Sequence, residues 1–297
     1  MMSKETERTF KYIENELSKL NLSDEKEANE ALQKIIEEYN KDPDKHLNDM
    51  IPETELDKAD YLISQAFEEE NGNKRTKLLE KAIQICNYAC DAYDMLAEEM
   101  PNPYEAVEFL KIGIENFEKH YGIKYFKENK GSFWGIMETR PYMRAYAGLS
   151  IILLQLGSYS ESIEKMEYML ELCPNDNIGI RYRLLNTYVL LERFKDAKKL
   201  LKKYPERSAF FLYTEFIMEY KQRDYKNTLK ILKEAYKANK YIYHFLVGKD
   251  IPELTDTSYY SQGSIEEADI YIEDASILLI SIPTISLFLD QNKNVIK

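Results

Sequence analysis

The chain has 297 residues, with 40 basic and 52 acidic side chains and a formal net charge of −12. Hydrophobic residues make up 44% and charged residues 31%, enough for a real core, while 10 Gly and 9 Pro are few. These figures exclude collagen-like, disulfide-scaffold and low-complexity classes and argue against a turn-rich all-β fold. Tyrosine is over-used, at 24 copies.

Almost every stretch carries helical period. Phe10, Ile13, Leu17 and Leu20 form one i, i+3/i+4 stripe, and Ala28, Leu32, Ile35, Ile36 and Tyr39 form a second. Ser23 or Asp24 is suited to cap the second helix. Residues 41–52 hold two prolines and read as a linker, which sets an acidic N-terminal helical pair (residues 1–50) apart from a repeat domain (51–289) and a polar tail (290–297). Leu56, Ala59, Leu62, Ile63, Ala66 and Phe67 begin the next helix, which Asn71-Gly72-Asn73 ends. Ala106, Phe109, Leu110, Gly113, Ile114 and Phe117 mark a helix after Pro103. No region shows sustained strand alternation, so the fold is expected to be all-α.

A repeat organises the second half of the chain. In Ala145–Pro174 (AYAGLSIILLQLGSYSESIEKMEYMLELCP) Leu149 and Ser150 take the helix-crossing positions, Gly157 the turn, Tyr159 the aromatic opening the second helix, Ser162 the small packing position and Pro174 the exit. This is the tetratricopeptide pattern of about 34 residues. Phe194 and Ala197 repeat the Tyr159/Ser162 pair, as do Tyr225 and Thr228. The expected architecture is a right-handed tetratricopeptide-like α-solenoid of antiparallel helix pairs, first helices lining a concave groove and second helices facing outward.

Between residues 131 and 144 lies GSFWGIMETRPYMR, too polar for repeat consensus. With Pro174-Asn175-Asp176-Asn177, Gly179-Ile180-Arg181-Tyr182, Asp91-Ala92-Tyr93, Tyr259-Tyr260 and Gly263-Ser264, it resembles the suppressor of tumorigenicity family and its prokaryotic tetratricopeptide-repeat relatives, over about residues 51–289. The resemblance implies a helical-repeat interaction protein and carries no biochemical activity with it. Animal members look membrane-associated, but the longest uncharged run here, Ala275–Leu289, is too short for a spanning helix and is broken by Pro283. It reads instead as a buried terminal helix.

Read physically, the repeat register puts Arg144 on the groove side, with Arg140 at the helix entrance beside Pro141. Tyr182, Asn186, Tyr213 and Tyr220 continue the lining. A guanidinium binds carboxylates bidentately and an amide can clamp a peptide backbone, so these residues suit an extended peptide with a carboxylate. The alternative is a structural ion-pair cluster of Glu138, Arg140 and Arg144 stapling the loop in which Phe133 and Trp134 are aromatic anchors.

Little points to chemistry. No phosphate loop, HExxH or nucleophile elbow occurs, so no catalytic residue, cofactor or metal is expected. Cys86 and Cys90, four apart on an apparently helical stretch, would share one face, but no second Cys/His pair accompanies them. Residues 193–240 carry 14 basic against 6 acidic side chains; overall acidity nevertheless opposes nucleic-acid binding. No basic segment followed by an apolar one opens the chain, so a cytoplasmic protein is expected. The reading is a non-enzymatic adaptor binding a peptide of an unknown partner protein. The alternatives are a homodimer through the apolar C-terminal helix, Ile277–Leu289, or an enzyme on a repeat scaffold.

Overall fold

The computed structural model describes residues 4–20, 22–48, 52–249 and 260–296. The described residues are helical, without a strand, and divide into two compact units, Met1–Ile178 and Gly179–Lys297. The expected boundary near residue 50 therefore falls inside the first unit.

That unit holds α1 (Lys4–Ser18), α2 (Glu25–Tyr39), α3 (Pro43–Asn48), α4 (Glu55–Glu68), α5 (Gly72–Ile85), α6 (Cys90–Glu98), α7 (Pro103–Asn129), α8 (Arg140–Gln155) and α9 (Tyr159–Leu172). Successive helices pack as pairs, α1 with α2, α4 with α5, α6 with α7 and α8 with α9. The expected linker at 41–52 contains a helix instead. Asp42 accepts from the Lys45 N–H, Pro43 opens the turn, and Leu47 is buried. Asp24 caps α2 through the Glu27 N–H, and the Glu27 carboxylate accepts in return from the Ser23 N–H and hydroxyl. α7 is broken at Gly122, whose φ of 72° is open to glycine. The two cysteines do not share a helix: Cys86 ends α5 and Cys90 begins α6, both buried. Burial pushes both thiols up, the opposite of an activated pair.

The second unit holds α10 (Ile180–Leu190), α11 (Phe194–Lys203), α12 (Ala209–Lys221), α13 (Tyr225–Ala238), α14 (Lys240–Leu246), α15 (Ile265–Asp274), α16 (Ser276–Ile280) and α17 (Ile285–Gln291). α10 pairs with α11 and α12 with α13. Pro283 separates α16 from α17, and Leu278, Ile282, Ile285 and Leu289 are buried. Tyr259, in the expected similarity, lies outside the described residues.

The repeat is written in the backbone as well as the sequence. Gly157, Glu192 and Arg223 all take left-handed φ values, of 76°, 56° and 61°. After each, the next N–H reaches five residues back: Ser158 to the Leu153 carbonyl at 2.9 Å, Arg193 to Tyr188 at 2.8 Å, Asp224 to Glu219 at 3.1 Å. This six-residue closure ends a first helix and turns the chain into the second. Ser162, Ala197 and Thr228 then sit fully buried, one turn into each second helix. The Ser162 hydroxyl donates to the Ser150 carbonyl at 2.7 Å, across the α8–α9 crossing.

An equally close approach occurs in the α6–α7 pair. A Cβ on Gly113 would lie 2.6 Å from Cγ of Tyr93, whose ring is tied by its hydroxyl to the Asn87 carbonyl at 3.0 Å. Gly113→Ala is therefore expected to cost about 1–3 kcal/mol through overpacking, seen as a lower thermal melting point; an unchanged melt would show that α7 can shift.

Candidate functional site

α4, α6 and α8 are the first helices of three consecutive pairs; charged side chains of α4 and α8 meet α1, and α6 backs them with Asp91. Asp91 lies in the first turn of α6, is buried, and accepts from Arg144 of α8 through Nε and Nη2, both at 2.7 Å. The remaining Nη1 of Arg144 donates to Glu7 of α1 at 2.9 Å. Arg144 keeps only 12% of its side-chain surface, so its charge survives because two carboxylates enclose it. One turn earlier, Arg140 donates from Nε to the Trp134 carbonyl at 2.9 Å and reaches Glu7 at 3.4 Å. Its guanidinium also lies 5.3 Å from the Trp134 ring centroid.

The loop carrying Trp134 is closed by local bonds. The Thr139 hydroxyl donates to the Phe133 and Ile136 carbonyls, and Phe133 is buried among Phe126, Tyr125 and Tyr142. Trp134 is buried as well. The expected Glu138–Arg140–Arg144 cluster takes a different form. Glu138 is exposed, and the acids on the arginines are Glu7 and Asp91. Side chains on successive residues of an irregular turn diverge, whereas α1 brings Glu7 across from a distant part of the chain.

Lys11 lies one turn after Glu7. Its ammonium pairs with Asp57 at 2.6 Å and Asp60 at 2.9 Å, both on α4. Burial alone would lower the lysine pKa; Asp60 and Asp57 outweigh it and hold the group above its usual value. Asp60 moves the other way for a carboxyl, upward, because burial outweighs Lys11 and because Asp91 and Asp57 lie nearby. Asp57 is held below its usual range by Lys11 and by the Thr54 N–H and hydroxyl, against the opposing effect of burial. The face thus runs from acid at α4 and α6 to base at α8.

In the second unit three of the predicted lining residues, Asn186, Tyr213 and Tyr220, meet the chain's own C-terminal segment. Asn186 is buried, accepts from the Thr214 hydroxyl at 2.6 Å and donates to the Asp274 carbonyl at 3.4 Å. Beside it, Arg183 pairs with the Asp274 carboxylate at 2.5 Å. Tyr182 packs at a tilt on Phe210, ring centroids 4.8 Å apart, and lies under the Arg181 guanidinium at 4.5 Å. Tyr220 shares a hydrogen bond with Thr284 at 3.0 Å and packs on Phe288. Tyr213 corrects the expectation that it lines a groove. It is 0% exposed, its hydroxyl donates to the Asn239 carbonyl at 2.6 Å, and its ring meets Tyr271 of α15. Burial pushes its phenol well up, as expected of a core group.

Sequence reasoning missed Glu7, Lys11, Asp57, Asp60, Arg183 and Asp274. Asp91 did stand in the string that carries the family resemblance. The basic segment behaves as solvated surface: Lys195, Lys198, Lys199, Lys202 and Lys203 of α11 are all exposed. Among the described residues no cluster of His, Cys, Asp and Glu could hold a metal ion, and no helix is long and apolar enough to cross a membrane. Of the apolar C-terminal run, Leu278, Ile282, Ile285 and Leu289 are buried, while Ile280 and Leu287 are exposed.

No protein-family model matches the chain. One curated protein similar to it is a clustered mitochondria protein homolog of Candida albicans, 26% identical over 157 residues. The match covers 48% of this chain and 11% of that protein, so the chain spans about a tenth of its length.

Removing one partner of a buried ion pair is far costlier than removing a half-exposed one. Asp91→Ala, which strands Arg144, is expected to destabilise by about 3–5 kcal/mol. Asp60→Asn gives up a contact to Lys11 but also a disfavoured charge, and should cost less than about 1 kcal/mol. Urea unfolding of both variants checks the contrast; equal losses would mean that Asp91 is not the inner support of Arg144.

Proposed function

We propose that the chain is a non-enzymatic adaptor of tetratricopeptide-like architecture, whose first-helix face binds a peptide segment of a partner protein. The recurring left-handed turns at Gly157, Glu192 and Arg223 and the buried small residues one turn later support the repeat assignment. The resemblance of residues 131–144 and the accompanying strings to the suppressor of tumorigenicity family supports an interaction role. The similarity to part of a clustered mitochondria protein homolog is compatible with it.

The observation that carries the reading is the face of α4, α6 and α8 in the first unit. It sets Asp57, Asp60, Asp91, Arg140 and Arg144 side by side and already holds a helix, α1, by its charges. A surface that fixes one helix through a carboxylate and an ammonium has the donors and acceptors to fix another. Among the described residues the buried acids already have partners, Asp91 the Arg144 guanidinium and Glu267 the Asn239 amide and the Gly263 N–H.

The test uses the full chain with a photoreactive amino acid at Ser64 on α4 or at Lys198 on α11. A partner from the source cells should cross-link from position 64, and a synthetic peptide copying residues 4–18 should compete it away. Cross-linking from position 198 alone, or capture that the peptide leaves untouched, would remove this face as the binding surface.

A further inference from the structure

We infer that the face of α4, α6 and α8 is a docking surface for an amphipathic helix bearing a carboxylate four residues before an ammonium, and that α1 is its resident, displaceable occupant. This rests on the peptide-binding reading above and adds the chemistry of the partner and its regulation.

Charge complementarity defines the ligand. Glu7 and Lys11, one helical turn apart on the same side of α1, meet Arg144 with Arg140 on one side and Asp57 with Asp60 on the other. Arg8 extends the pattern toward Glu68, at 4.0 Å. A helix with the two charges exchanged would set like against like at both ends.

The receptor side is built to outlast its occupant. Two of the Arg144 nitrogens are held from within by Asp91, and Arg140 is held by the Trp134 carbonyl. Withdrawal of Glu7 therefore leaves Arg144 oriented, with Nη1 presented to the next carboxylate. Lys11 depends wholly on the receptor, since both its partners belong to α4.

The occupant, by contrast, is lightly held. None of the described α1 side chains is buried, and Phe10 is 47% exposed, whereas α4 buries Ala59, Leu62, Ile63 and Ala66. A half-open cleft of about 60 Å³ lies along α1, between Arg8, Lys11 and Asn15 on one side and Asp57, Asp60 and Tyr61 of α4 on the other. The best aromatic and hydroxyl contacts of α1 go elsewhere, Tyr12 to His46 at 3.1 Å and Thr9 to Tyr39 at 2.7 Å. Those contacts tie α1 to α2 and α3 rather than to the face.

The experiment measures anisotropy of a fluorescein-labelled synthetic peptide copying residues 4–18, titrated with the full chain and with its Glu7→Ala/Lys11→Ala variant. A resident occupant taxes a competitor by the fraction of time it is bound. The variant should bind the peptide about 10-fold more tightly than the unaltered chain, and added salt should weaken both. A peptide with Glu7→Lys and Lys11→Glu together should bind neither protein. Equal affinity of the two proteins, or equal binding of the charge-exchanged peptide, would overturn the inference. Hydrogen exchange on the unaltered chain gives a second measurement, in which α1 amides should exchange much faster than those of α8. Protection of α1 equal to α8 would make it a fixed part of the fold, and capture at Ser64 would then leave the adaptor reading standing without a displaceable occupant. Light scattering showing two chains exchanging α1 would also overturn it, by making a second copy the ligand.

Discussion

Two helices can cross at close range only where one of them offers a small side chain. Ser162, Ala197 and Thr228 meet that demand in three consecutive pairs, and Gly113 meets it more severely against Tyr93. The close crossing in turn fixes where the chain must reverse, so that a left-handed residue and a six-residue closure recur at the ends of α8, α10 and α12. Glycine fills that position once; Glu192 and Arg223 accept the conformation at an energetic cost of about 1–2 kcal/mol each. That the same turn persists with unfavourable residues shows how firmly packing dictates it.

The abundance of tyrosine has a physical reason in this setting. A phenol supplies nearly the bulk of phenylalanine together with a hydroxyl that can reach a polar group a full ring away. Tyr142 and Tyr146 both direct theirs to Glu118, at 2.8 and 3.3 Å, and Tyr271 meets Thr214 at 3.3 Å. Burial pushes these phenols up, keeping them neutral donors. Tyr93 and Tyr213 likewise reach the Asn87 and Asn239 carbonyls, and no described buried side-chain nitrogen or oxygen lacks a partner.

The helical pairs were legible because their signal is local. The 3.6-residue period, the aromatic at Tyr159, Phe194 and Tyr225, and the small residue three positions later all lie within one pair. The charged face was only half legible. Repeat register pointed to Arg144 and Arg140, but a sequence shows neighbours in the chain and not in space, so Glu138 stood in for Glu7, 137 residues from Arg144. Tyr213 misled for a different reason. Its helix, AFFLYTEFIMEYK, is buried on nearly every side because α15 and its neighbours cover the face that the repeat register would leave open. Where a helix is apolar all round, periodicity no longer tells inside from outside.

The lone indole of the chain stands where the irregular loop, α8 and the approach of α1 come together, stacked beneath a guanidinium that also touches Glu7. Its emission is therefore a built-in optical reporter of that junction, undiluted by any other tryptophan. Departure of α1 would bring water and an altered local field to one chromophore, and the colour of its light would follow the state of this corner of the molecule alone.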